Sequence, residues 1–212
     1  MINHKNSSSG FEFVFNNDGF GLLAELILRK PPQAPLTEDD VEKQLILPFT
    51  NSAITAIDWC ILTTAQHNCR TRHSNGYDAE GRGREIDRLI EKVIAHYNRQ
   101  EKDILDIVLE RGHDAGLRVF GNIRLNHSSS AKSKDLLSCP GRNANGKKDF
   151  RDPAFHTYLC ELVEDLLAKG VDAISLDFER KAPFFPDEAS LSERADACTS
   201  FLKKVRALTE KK

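Results

Sequence analysis

The sequence predicts an α/β protein built on a parallel sheet, of the TIM-type (β/α) barrel kind, with about four strand–helix units forming a half-barrel or truncated barrel. Three observations lead there. Four short apolar runs, at 11–16, 54–62, 118–126 and 173–179, are each followed by a helix or by a long loop leading to one. The intervening segments carry helix start and stop signals. Strands that alternate with helices pair in parallel, through right-handed crossovers.

The first run, FEFVFN, ends in the turn-forming triplet Asn17-Asp18-Gly19. Pro35 and Thr37 then introduce TEDDVEKQL, with acidic residues in the first turn where the helix dipole favours them. The second run, ITAIDWCIL, leads into a Gly- and charge-rich stretch at 67–82. An amphipathic segment follows over 84–115, broken near Asn98 and closed by Gly116. The third run, RVFGNIRLN, precedes a second irregular stretch at 128–149. Asp152-Pro153 opens the next helix as cap and first-turn proline, and Gly170 closes it. After the fourth run, AISLDFE, Ser190-x-x-Glu193 reads as the capping box of a last helix that ends near Thr209.

With 212 residues and 40% hydrophobic content, the chain fits one domain with a proper core, over 11–212 behind a polar leader at 1–10. Thirty basic residues against 32 acidic ones leave a net charge of -2, which lacks the basic excess of a nucleic-acid surface. No apolar run approaches the roughly 20 residues of a membrane span, and MINHKNSSSG has no apolar signal core. The expected partners therefore include neither nucleic acid nor membrane, and the default location is the cytoplasm. Five cysteines at irregular spacing read as reduced thiols rather than a disulfide framework. His67, Cys69 and His73 lie close together, but without CxxC or HExxH spacing they read as loop residues, and no metal or cofactor is expected. The GRGRE segment at 81–85 does not follow a strand and is no phosphate loop.

Alternate side chains of a strand point to opposite faces. In the fourth run Ile174, Leu176 and Phe178 fall on one face, and Ala173, Ser175, Asp177 and Glu179 on the other. The third run sets Val119, Ile123 and Leu125 against Asn122, Arg124 and Asn126. The second sets Ile57, Trp59 and Ile61 against Ala56, Asp58 and Cys60; the first sets its phenylalanines against Val14 and Asn16, with Asp18 just beyond. Four strands thus place polar groups on one face near their C-terminal ends, where α/β proteins put their sites. The competing reading is an ordinary sheet, apolar on one side and wet on the other.

The segment DPAFHTYLCELVEDLLAKGVDAISLDFERKAPFF resembles the fourth-strand region of glycoside-hydrolase-like TIM-barrel proteins of planctomycete type, the glycosyl-hydrolase-like family 10 kind. VFGNIRLNHSSS is similar to that family's third-strand segment, and FNNDG to its first strand. The resemblance spans roughly residues 11–186. DAISLDFE is also similar to the signature strand of family 18 chitinases through Asp172, Asp177 and Glu179, with Ala173 and Ser175 departing from that pattern. The resemblance implies a hydrolase of O-glycosyl bonds acting on a carbohydrate.

Such chemistry uses two carboxyl groups, one protonated to assist the leaving oxygen. Asp177 and Glu179 share a face with backbones about 6–7 Å apart. Glu179, nearer the mouth, is the expected general acid and Asp177 its neighbour that orients or tunes it. Arg124, Asn126, Asp18, Asn16, Asp58 and Arg180 are the expected substrate-binding set, with a structural Arg124–Asp177 ion pair as the open alternative. Phe184, Phe185 and Trp59 read as packing rather than sugar platforms. A catalytically silent carbohydrate-binding module and a different enzyme on an open doubly wound sheet are the other two readings. A full barrel needs eight units and about 250 residues. The four read here predict either part of a longer enzyme or two copies that pair as a homodimer.

Overall fold

A computed structural model describes residues 12–29, 36–61, 67–73, 77, 79, 84–125, 149–178 and 184–211. The leader at 1–10, Asn126, Glu179 and Arg180 lie outside the described residues. Four strands, β1 (Val14–Asn17), β2 (Ala56–Cys60), β3 (Arg118–Arg124) and β4 (Ala173–Asp177), form one sheet in the order β1-β2-β3-β4. All three pairings are parallel. The order is sequential, without the reversal on which a doubly wound sheet depends.

Helix α1 (Phe20–Arg29) follows β1 directly. The Asn17-Asp18-Gly19 triplet predicts only a turn there, although Leu22, Leu23 and Leu26 carry the helical spacing and are the residues α1 buries. Helix α2 (Glu38–Val41) starts on a reciprocal Thr37–Asp40 capping box and runs on through a π turn at Glu42–Ile46 and a 3-10 turn at Leu47–Phe49. The predicted break near Asn98 separates α3 (Glu85–Asn98) from α4 (Ile104–Asp114). Asp103 and Asp106 cap α4 in the same reciprocal way, through an acid pair three residues apart.

Helix α5 (Pro153–Lys169) is capped by Asp152 and closed by Gly170, whose φ of 100° is the left-handed conformation glycine tolerates. Helix α6 (Leu191–Thr209) starts on the predicted Ser190–Glu193 box.

The core lies on one side of the sheet. Ile57, Trp59 and Ile61 of the β2 run and Val119, Ile123 and Leu125 of the β3 run join the helix leucines and isoleucines in one continuous cluster. Ala56 and Cys60 are buried too, yet stand outside that cluster on the opposite face. Gly121 lets α5 approach closely: a methyl group there would stand 2.9 Å from Leu166 Cδ1. No helix among the described residues is long and apolar enough to cross a membrane.

Candidate functional site

The ladder fixes which inward side chains meet. Asn16 pairs with Asp58, Asp58 with Phe120 and Phe120 with Ala173; two residues higher, Asn122 pairs with Ser175, and two above that Arg124 pairs with Asp177. Parallel strands in register place these residues on one face.

Two polar layers result. In the lower one, Asp58 Oδ2 accepts from Asn16 Nδ2 at 2.6 Å, Asn122 Nδ2 at 2.9 Å and Ser175 Oγ at 3.2 Å. Asn122 Nδ2 also donates to Ser175 Oγ at 3.1 Å, so one carboxylate oxygen ties together side chains of all four strands. Asn122 and Ser175 were placed on this face by sequence but not named as site residues. The same alternation that found Asp58 and Asp177 contains them.

In the upper layer Arg124 stands between two carboxylates. Its Nη2 lies 3.7 Å from Asp18 Oδ2 and its Nε 3.7 Å from Asp177 Oδ2. These are ion pairs beyond hydrogen-bond length. Leu125 N donates to the Asp177 carbonyl at 3.1 Å, which carries the β3–β4 ladder up to this level.

Asp18 is positioned by the turn that ends β1. Gly19 adopts φ 63° and donates to Asn17 Oδ1 at 2.8 Å, and a side chain at 19 would collide with the Cys60 carbonyl and the Asn68 amide. Asp18 Oδ1 accepts from Gly21 N at the start of α1, leaving Oδ2 toward Arg124. One carboxylate thus caps a helix and faces the guanidinium.

The polar face is not wet. Asp58, Asn122 and Arg124 are 7%, 2% and 7% exposed, which sets aside the half-solvated sheet as an account of the two central strands. Asp58 Oδ1, Asn122 Oδ1 and Arg124 Nε have no hydrogen-bond partner among the described residues. Buried polar atoms are seldom left so, and each exception calls for an explanation such as a bound water, an ion or a functional role.

No family model matches the chain, and no curated protein matches its sequence. The site therefore has to be read from its own geometry.

Of the sequence-expected set, Asp18, Asn16, Asp58, Arg124 and Asp177 come together on one face at the strand ends. Asn126, Glu179 and Arg180 fall outside the described residues. Asp172, the first acid of the chitinase-like pattern, precedes β4 at its other end. There it accepts from Val119 N at 2.7 Å and lies 2.9 Å from His113 Nε2. Its place is at the N-terminal edge of the sheet, away from Asp177.

The aromatic residues near the site are packed. Trp59 is fully buried and donates its indole N–H to Asn68 Oδ1 at 3.3 Å. Phe184 and Phe185 lie 6.3 and 6.1 Å from the Phe150 ring, centroid to centroid.

The His67–His73 segment is also accounted for by protein contacts. His67 Nδ1 lies 2.9 Å from Thr71 Oγ1, and His73 Nε2 lies 2.8 Å from Glu161 on α5. Burial and the charge of Asp103 push the Cys69 thiol well above its ordinary range. Among the described residues no group of three or more His, Cys, Asp or Glu is placed to hold a metal.

Proposed function

We propose that the chain is part of a (β/α) barrel whose strand-end site belongs to a glycoside hydrolase acting on a carbohydrate. The observation that carries this reading is Arg124 set between Asp18 and Asp177, above a buried polar layer, at the C-terminal ends of sequential parallel strands. Carboxylates accept from sugar hydroxyls and a guanidinium donates to them, so this combination suits a neutral polyol.

The barrel reading is supported by how the polar layers climb. Asp58 meets Asn122 and Ser175, which lie two residues above its own ladder level, and Asp18 meets Arg124 with the same rise. A barrel of shear 8 over eight strands rises about one residue per strand, so its layers run obliquely across the ladder in this way.

In this reading Glu179, two residues beyond Asp177 on the same face of the sequence pattern, is the general acid. Asp177 sets the charge beside it, and Arg124 holds Asp177 in place. Asp18 is the carboxylate on the other side of the guanidinium. The second reading, a silent carbohydrate-binding module, is favoured by the burial of Asp58 and Asn122, which serve the scaffold rather than a substrate.

One experiment separates them. Hydrolysis is followed over a panel of aryl glycosides and oligosaccharides, with binding measured by calorimetry on the same sugars. Turnover by the native chain that falls at least about 100-fold in Glu179→Gln, with binding retained, supports the hydrolase. Binding without turnover by either form supports the module. Neither binding nor turnover would end the carbohydrate reading.

A further inference from the structure

Arg124 is the one guanidinium of the two polar layers among the described residues, and its hydrogen bonding is incomplete. Its side chain is 8% exposed and carries two ion pairs at 3.7 Å. No hydrogen bond joins it to another described residue, and Nε is sealed from solvent without a partner. Nε and Nη2 form the edge with which a guanidinium grips a planar anion in two parallel bonds. Asp177 stands off the first of these atoms and Asp18 off the second, so two carboxylates flank the edge and neither takes it up.

Exposure rises outward through this group, from 8% at Arg124 through 19% at Asp177 to 42% at Asp18. Asp18 is therefore the charge that an entering ligand meets first. It is also held in direction. Its Oδ1 accepts from Gly21 N at the start of α1, Gly19 N is tied back to Asn17 Oδ1, and Oδ2 is left facing Arg124. Together the two layers hold three carboxylates, Asp18, Asp58 and Asp177, against the single guanidinium. An anion that approaches the edge meets like charge before it reaches a donor. A hydroxyl meets no such barrier, because it donates to Oδ2 and accepts from the guanidinium at once.

We propose that Asp18 is a specificity-determining residue: it keeps the guanidinium edge of Arg124 for neutral hydroxyls and turns acidic sugars away. The sugar in this statement rests on the carbohydrate reading; the shielding of Arg124 from anions does not. Asp18→Asn keeps the oxygen that caps α1 and sets N–H donors beside the guanidinium in place of a charge. Two donor groups side by side form a receptor for an anion, so this single change reverses the preference of the site.

The test follows the Arg124 Nε–H resonance of the full chain by NMR at pH 7 and constant ionic strength. The probes are acetate, glucose and glucuronate. In the native chain acetate should leave the resonance unmoved, and glucuronate should bind at least about tenfold more weakly than glucose. In Asp18→Asn acetate should move it and glucuronate should bind at least about tenfold more tightly than before, while glucose binding weakens for want of the charged acceptor. Damage to the fold would weaken both sugars, so the opposite signs separate specificity from structure. Glu210, exposed and paired with Arg206 at the end of α6, supplies the control: Glu210→Gln makes the same change in net charge and should behave as the native chain does. Acetate binding at Arg124 in the native chain, an unchanged ratio of the two sugars in Asp18→Asn, or an equal shift in Glu210→Gln would each overturn the proposal. If no sugar binds, the carbohydrate reading falls, and the acetate titrations alone decide whether Asp18 shields Arg124.

Discussion

Within β2, residues one position apart are all buried and do opposite work. Ile57 and Trp59 face the helices and are held chiefly by packing, in a cluster that runs through α1, α3, α4 and α5, with a single indole hydrogen bond from Trp59 to Asn68. Asp58 faces the other way and is held by three directional hydrogen bonds, each from a different strand. The apolar face tolerates any filling of equal volume, because dispersion and area removed from water have no direction. The polar face tolerates far less, since donors from three strands converge on Asp58 Oδ2 and need an acceptor at that point. Stability is carried chiefly by the first face, and the placement of Arg124 by the second.

That contrast breaks most plainly at Trp59. Trp59→Ala removes the largest side chain of the apolar face and should cost about 3–5 kcal/mol, read as a lower urea midpoint with little change in slope. The polar face should respond less in magnitude but more sharply to chemistry. Asp58→Ala removes the acceptor shared by Asn16, Asn122 and Ser175, leaves Asn122 Nδ2 with Ser175 Oγ, and should cost about 1–3 kcal/mol. Asp58→Asn, nearly the same shape, keeps an acceptor oxygen and should recover part of that loss. If the two Asp58 variants were equally destabilised, the layer would be held by packing and the contrast between the faces would fail.

The upper layer is the finest test. Asp18→Asn keeps the oxygen that caps α1 and removes only the charge facing Arg124. At 3.7 Å, with Asp18 42% exposed, that pair should contribute under about 1 kcal/mol to stability. Under the carbohydrate reading the same change should still weaken sugar binding measurably, separating a group kept for function from one kept for folding.

How far the sequence could be read differs element by element. The capping boxes at Thr37, Asp103 and Ser190 are complete within four residues, so each helix start is written locally, although only the last was read as such. Helix α1 was missed because the Asn-Asp-Gly turn signal masked a helix whose cap is the turn's own aspartate. The faces of the strands were legible because alternation needs only a period of two. The partners of Asp58 were not, because they depend on register.

The sequence by itself determined which residues face together and where helices start and stop, since both follow from backbone geometry over a few residues. Only the tertiary structure decided that Asp58 meets Asn122 and Ser175 rather than Phe120 and Ala173, and that Arg124 reaches Asp18 across β2. The relative height of parallel strands is set by crossovers of many residues and by packing of the helices between them. No local pattern in the chain encodes that height, and it is the height that assembles the site.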